Sequence, residues 1–171
     1  MEVLSAFFES FGGLAIGFLG GALACGLACA GSARGCGLAG EAATGILVEQ
    51  PGAFGKVLIL QILPGTLGLF GLVVWFFALV QMGVFGSAMD PTTLTVTDGL
   101  RVACACLPVA IGCFLAGPAQ GRVAANAISL IPTRPNDWTK GILLCITVEF
   151  YAILFLLASF LMLLNLHLGA N

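Results

Sequence analysis

The sequence predicts an all-α membrane protein whose four transmembrane helices form two duplicated helical hairpins. Three observations lead there: extreme hydrophobicity, four long apolar stretches and a resemblance between the two halves. The 171 residues are 60% hydrophobic and only 8% charged, with a mean hydropathy of +1.11. Soluble domains are about 25% charged. So few polar groups cannot cover a water-facing surface, and lipid is therefore the expected solvent.

Composition and motifs also argue against several functions. The net charge of −2 gives no reason to expect a nucleic-acid partner. The seven cysteines are odd in number and lack the paired spacing of a zinc site, so we expect small packing residues and no bound cofactor. The chain has no phosphate-binding GxxxxGK[ST] loop, so it is not expected to bind ATP through that motif.

Helix length sets the expected spans, because crossing ~30 Å of hydrocarbon takes about 20 apolar residues. Residues 1–88 form the first predicted hairpin, with spans at about 11–48 and 54–85. Residues 89–171 form the second, with spans at about 98–130 and 137–167. We therefore predict a multi-pass integral membrane protein in the lipid bilayer.

Basic residues predict the orientation of the spans. All the lysines and arginines except Arg101 fall at the connections between spans one and two or spans three and four: Arg34, Lys56, Arg122, Arg134 and Lys140. Cytoplasmic loops carry an excess of such residues. Both connections are therefore expected in the cytoplasm, with both termini outside.

The two hairpins share residues around the connection that joins the two spans of each hairpin. Allowing two extra residues in the second loop, the matches are Pro51 with Pro135, Phe54 with Trp138, and Lys56 with Lys140. In the same register Gly65 falls opposite Glu149, and Leu38 falls opposite Gln120. The pattern indicates a parallel duplication that keeps one polar site where a symmetric ancestor would have had two.

Spans one and three carry small residues at every fourth position, which lets helix backbones approach closely. Examples are Gly13, Gly17 and Gly21 in span one, and Gly117 and Gly121 in span three. Ordinary packing inside one four-helix bundle explains these stripes. A crowded inner layer that lines a ring of subunits explains them equally well.

Glu149 is the only acid inside span four. It lies eleven residues after Trp138, or about 16 Å along a helix, near the middle of the membrane. An ionised side chain there costs about 2.5–3.5 kcal/mol. Glu149 is therefore expected to be protonated, or paired with a cation or a polar group. A proton or small cation bound there makes it a carrier; a protonated acid that only joins two helices is the alternative.

Candidate partners for this acid lie in spans two and three. Pro64 removes a backbone hydrogen bond from span two and disturbs the turn that contains Leu63. Thr66 follows in the same segment, and Gln120 supplies an amide oxygen from span three. Hard cations prefer oxygen ligands. Leu63, Thr66, Gln120 and Glu149 are therefore the predicted ion-binding residues, and would be the metal ligands if the ion is Na+.

Three segments resemble the proteolipid subunits, known as c or K, of rotary V-type and A-type ATPases: QILPGTLGLFGLVV, AGPAQGRVAANAI and KGILLCITVEFYAIL. The resemblance implies a homo-oligomeric membrane ring, coupled to ATP hydrolysis or synthesis by a soluble complex. It also implies a stator membrane subunit with an essential arginine, a central-stalk subunit, and a prokaryotic cell membrane. Glu149 would carry the ion, and Leu63, Thr66 and Gln120 match ion-coordinating positions of sodium-pumping members.

Two positions depart from those sodium-pumping members. They have a glutamine ligand at Leu67 and a tyrosine at Phe70, whose hydroxyl bonds the carboxylate. Losing both removes oxygen atoms from the site, which weakens a cation cage more than it weakens protonation. H+ is therefore favoured over Na+, while Thr66 and Gln120 keep Na+ open. A four-helix secondary transporter or exporter that uses Glu149 as a coupling acid is the alternative function.

Overall fold

The computed structural model describes residues 2–85 and 94–168, with side chains from residue 11 onward. These residues form helices and turns and no strand. The helices are α1 (Glu2–Glu49), α2 (Phe54–Ile62), α3 (Thr66–Gln81), α4 (Val96–Ile128) and α5 (Trp138–Leu164), with short 3₁₀ turns at Pro51–Ala53 and Leu63–Gly65. The predicted all-α class is confirmed.

Within the described residues, four helical segments are long and apolar enough to cross a membrane. They are Phe11–Glu49, Pro51–Gln81, Val96–Ile128 and Trp138–Leu164. The second of them joins α2 and α3 through the turn at Leu63–Gly65. The fold is therefore the predicted four-span membrane protein. The proposed boundary between the hairpins, at residues 88 and 89, lies outside the described residues.

Helices α1 and α4 pack more extensively than any other pair. A Cβ atom added to Gly31 would lie 2.6 Å from the Cys113 carbonyl oxygen, and Gly117 and Gly121 abut the α1 backbone at Gly31 and Gly35. Such contacts require the absence of side chains on both helices. The small residues of spans one and three therefore bring two backbones together.

The predicted row of every fourth residue in span one does not stay on one face of the helix. Gly13 approaches the backbone of Leu94 and Thr95, whereas Gly17 abuts Met82 and a Cβ on Gly21 would lie 3.1 Å from the Trp75 ring. A helix has 3.6 residues per turn, so a row spaced by four drifts around it. The row therefore packs against both α3 and the start of α4.

Helix α5 lies at the outside of the bundle. Only 17% of its most apolar stretch is buried, against 44% for α4. Phe77 of α3 packs against Phe160 of α5 with ring centroids 4.5 Å apart, and large side chains such as Leu143 and Leu144 face outward. The large residues of α5 thus form a surface suited to lipid.

Hydrogen bonds stabilise the connections at both ends of the bundle. Helix α3 ends at Gln81. Gly83 (φ 76°) follows it, and the Gly83 and Val84 N–H groups donate to the Val80 and Leu79 carbonyls at 3.1 Å. This is a Schellman motif, which favours glycine at its left-handed position.

At the opposite end of the bundle, Lys56 Nζ donates to the Pro135 carbonyl at 2.8 Å. That bond places the two basic connections on the same side.

Candidate functional site

A short contact joins the break in the second span to the acid of the fourth. The break is the 3₁₀ turn at Leu63–Gly65, here named the Pro64 turn, and Pro64 itself is buried. The Thr66 hydroxyl lies 2.7 Å from Glu149 Oε1 and 2.8 Å from the Leu63 carbonyl oxygen. Three of the residues that the sequence singles out therefore lie in one hydrogen-bonded group.

Proline has no N–H and cannot continue the helical hydrogen-bond ladder, so the second span is interrupted by the 3₁₀ turn at Leu63–Gly65. The Thr66 N–H donates to the Leu63 carbonyl in a 3₁₀ bond that closes the turn, and the Thr66 hydroxyl reaches the same oxygen. Helix α3 restarts at Thr66. The turn thus places a carbonyl and a hydroxyl side by side, and the hydroxyl contacts Glu149 of α5.

Glu149 sits between the interior and the outer surface of the bundle. Its side chain is half-buried. Cys145, one turn earlier on α5, is fully buried, whereas Phe150 and Tyr151 are more than half exposed. The carboxyl group can therefore engage α3 while its helix faces the surroundings of the protein.

Gln120 of α4 is fully buried. Its Nε2 donates to the Cys145 carbonyl at 3.4 Å, and its Oε1 has no hydrogen-bond partner among the described residues. Leaving such an acceptor unsatisfied costs about 1–3 kcal/mol. An orphan amide oxygen on the helix that packs beside Glu149 is a ready ligand for a proton donor or a cation.

The other two predicted positions contribute no oxygen. Leu67 is completely buried, and Phe70 is partly buried against the core between α1, α3 and α4. Both side chains are apolar, so these two positions of α3 offer no oxygen to Glu149. Fewer polar atoms surround the carboxyl group than a full cation cage requires.

Ser32 of α1 is a polar residue beside this group that the sequence did not single out. Only 7% of its surface is exposed, and its hydroxyl donates to the Pro64 carbonyl at 2.8 Å. A serine among glycines and alanines looks like one more small packing residue. Finding it requires knowing which face of α1 meets the Pro64 turn.

The donor set suits a small monovalent ion. The carboxyl group of Glu149, the Thr66 hydroxyl and the Leu63 carbonyl form one hydrogen-bonded group, and the Gln120 amide reaches α5 one turn before Glu149. Oxygen ligands of this kind favour hard cations. The described residues contain no group of three or more histidine, cysteine or acidic side chains able to hold a metal ion. A carboxyl group with these neighbours has the chemistry to exchange a proton or a hard cation, with a change of one charge.

Comparison with known proteins shows the same duplicated organisation. The family described as the C subunit of ATP synthase matches twice, over residues 19–78 and 103–162. The two matched segments start at residues 19 and 103. Gly65 and Glu149 are separated by the same number of residues as these two starts. The internal register predicted from the sequence is therefore also that of the family match.

Two curated relatives are similar over most of this chain. One is the V-type sodium ATPase subunit K of Enterococcus hirae, 43% identical over 135 residues that cover 79% of this chain and 81% of the relative. The other is the A-type ATP synthase subunit K of Methanocaldococcus jannaschii, 36% identical over 134 residues that cover 78% of this chain and 56% of the relative.

Proposed function

Because this chain belongs to the family of the ATP synthase C subunit, as a duplicated proteolipid of V-type and A-type rotary ATPases, we propose that Glu149 is its ion carrier. The protein is non-catalytic and translocates ions, and its family forms membrane rings. The carrier role rests on one observation, the 2.7 Å contact between Glu149 and Thr66. That contact ties a carboxyl group inside a membrane span to a broken helix.

The hydrogen-bond inventory of the site favours H+ as the ion. A threonine hydroxyl has one proton to donate, and a backbone carbonyl can only accept. If the Thr66 proton goes to Leu63 at 2.8 Å, the 2.7 Å contact with Glu149 needs a proton from the acid. A neutral Glu149 satisfies both contacts at once, whereas an ionised one competes with Leu63 for the Thr66 proton.

In this proposal each copy of the chain in the ring carries one ion on Glu149. While Glu149 faces lipid it stays neutral, because a bare charge there costs about 2.5–3.5 kcal/mol or more. At a stator membrane subunit with an essential arginine, the acid exchanges its ion with water. A central stalk couples the turning ring to ATP hydrolysis or synthesis in the soluble complex. The two basic connections face the cytoplasm of a prokaryotic cell.

Na+ is the second candidate ion, and Gln120 is the observation that favours it. Its fully buried Oε1 lacks a partner among the described residues, and a bound Na+ would satisfy it together with Thr66 and Leu63. The relative from Enterococcus hirae is named a sodium ATPase subunit. Carbodiimide labelling of Glu149 separates the ions: protection by millimolar Na+ at high pH would show Na+ binding, and its absence supports H+.

Family membership favours the rotor function over the four-helix exporter. The direct test of the carrier is Glu149→Gln in the assembled ATPase, reconstituted in vesicles. Ion transport should be lost while the ring still forms. Glu49→Gln is the matched control, because Glu49 is an exposed acid at the end of α1. Full transport by Glu149→Gln would refute the carrier role.

A further inference from the structure

Ser32 of α1 contacts the Pro64 turn, which leads into the group formed by Thr66 and Glu149. Its hydroxyl donates to the Pro64 carbonyl at 2.8 Å across the α1 interface. Pro64 lies between Leu63 and Gly65 in the turn that leads into Thr66. A buried hydroxyl that donates to the middle of this turn is in a position to fix the turn itself.

The surrounding residues are shaped to admit this contact. A Cβ atom on Gly68 would lie 3.3 Å from both Cβ and Oγ of Ser32, and one on Gly35 would lie 2.7 Å from Pro64 Cβ. Glycine at both positions lets α1 lie directly against the Pro64 turn. The Cys29 thiol adds a long contact to the Gly68 carbonyl at 3.8 Å. The α1 helix therefore holds the turn at several adjacent points.

We propose that Ser32 is a positioning residue that sets the ion affinity of Glu149 by fixing the Pro64 turn. Ser32 touches neither Glu149 nor the ion. Its hydrogen bond holds the Pro64 carbonyl, two residues before Thr66, and so keeps the Thr66 hydroxyl in place against Glu149. Without that bond the turn is free to shift, and the Thr66 hydroxyl that contacts Glu149 shifts with it. This inference rests on the proposed carrier role of Glu149.

Ser159 provides a matched control elsewhere in the bundle. It is also fully buried, and its hydroxyl accepts a 3.0 Å bond from the Val109 N–H, between α5 and α4. It lies ten residues after Glu149, about 15 Å along α5. Replacing it removes an interhelical hydrogen bond of similar burial but leaves the Pro64 turn intact.

The experiment compares Ser32→Ala with Ser159→Ala in the purified ring. The readout is the H+ or Na+ concentration at which carbodiimide labelling of Glu149 is half-maximal. We expect Ser32→Ala to change that concentration about three- to tenfold, the effect of one net hydrogen bond. Ser159→Ala should leave it unchanged while lowering thermal stability. If Ser32→Ala fails to assemble, Ser32→Cys takes its place. A thiol is a weaker donor than a hydroxyl, so Ser32→Cys should also change the ion concentration for half-maximal labelling, by less than is expected for Ser32→Ala.

The outcomes separate this inference from the function on which it rests. If wild-type Glu149 is labelled and titrates but the Ser32 variants match wild type, the positioning role is refuted and the carrier role stands. Equal changes in the Ser32 and Ser159 variants also refute it, because they would indicate a general effect of lost stability. If Glu149 is not labelled in the wild type, the carrier role fails and this inference fails with it.

Discussion

The Thr66 hydroxyl of α3 lies 2.7 Å from Glu149 Oε1 of α5. Through it the second span, whose helix is interrupted at Pro64, reaches the acid of the fourth span. The same hydroxyl lies 2.8 Å from the Leu63 carbonyl. One side chain therefore links the backbone of the break to the carboxyl group of Glu149.

Thr66→Val should weaken ion binding at Glu149. It keeps the branched shape of the side chain but removes the hydroxyl that Glu149 and Leu63 share. We expect about a three- to tenfold change in the ion concentration for half-maximal carbodiimide labelling. Thr66→Ser keeps the hydroxyl and should stay close to wild type. Equal labelling curves for the two variants would show that the contact does not contribute.

Leu67→Gln combined with Phe70→Tyr should convert the site towards Na+. Each change adds an oxygen atom to α3, close in sequence to Thr66. Leu67 is fully buried in the wild-type protein. We expect millimolar Na+ to protect Glu149 of the double variant from labelling, and protection of the wild type to need at least about tenfold more Na+. Phe77→Tyr is the control, because Phe77 packs against Phe160. Unchanged protection would mean that these two positions do not select the ion.

Gly31→Ala should destabilise the packing of α1 against α4. The added Cβ would lie 2.6 Å from the backbone of α4 at Cys113 and Phe114, and overpacking of this kind costs about 1–3 kcal/mol. Gly26→Ala meets no described atom within 4 Å, so helix propensity should make it neutral or slightly stabilising. The free energy of unfolding in mixed detergent micelles checks the pair. Equal effects of the two substitutions would contradict the close backbone contact.

Asp137, in the connection before α5, should titrate below its usual range. The hydrogen bond from Lys140, at 2.9 Å, lowers the pKa of this carboxyl, and the charges of Lys140 and Arg134 lower it further. Its contribution to stability is present above the unfolded-state pKa of about 3.9 and is lost as the pH falls through the lower folded value. No change in this connection is therefore expected between about pH 5 and 8.

Lys140→Ala should raise the pKa of Asp137 towards its ordinary value, because it removes both the hydrogen bond and the nearer charge. An NMR titration of the Asp137 carboxyl carbon measures both proteins. A wild-type midpoint at or above about 3.9 would contradict the pairing, as would a variant with an unchanged midpoint.

The sequence predicts the four spans and the candidate acid because hydrophobicity, length and a lone charge are local properties. Pro64 likewise indicates a disturbed turn from its chemistry alone. The contacts of Gln120 with Cys145 and of Ser32 with Pro64 depend on how each helix is rotated. Small residues allow several rotations, since Gly and Ala fit against lipid, a neighbouring helix or a second copy of the chain.

The stripe in span one shows the same difficulty. Spacing alone did not distinguish contacts with α4 from contacts with α3, and the structure contains both. Glu149 is different, because a carboxyl group inside a membrane must be neutralised in any arrangement of the helices. Its importance is therefore visible in the sequence, although its 2.7 Å partner, Thr66, is one of several polar residues available.

The most direct test of the carrier role is to label the assembled ATPase with carbodiimide and follow modification and transport together. Mass spectrometry locates the modified residue, and vesicle assays measure ion transport at increasing degrees of labelling. The proposal predicts modification at Glu149 and a parallel loss of transport. Transport that continues when Glu149 is fully modified, or a block that accompanies modification elsewhere, would contradict it.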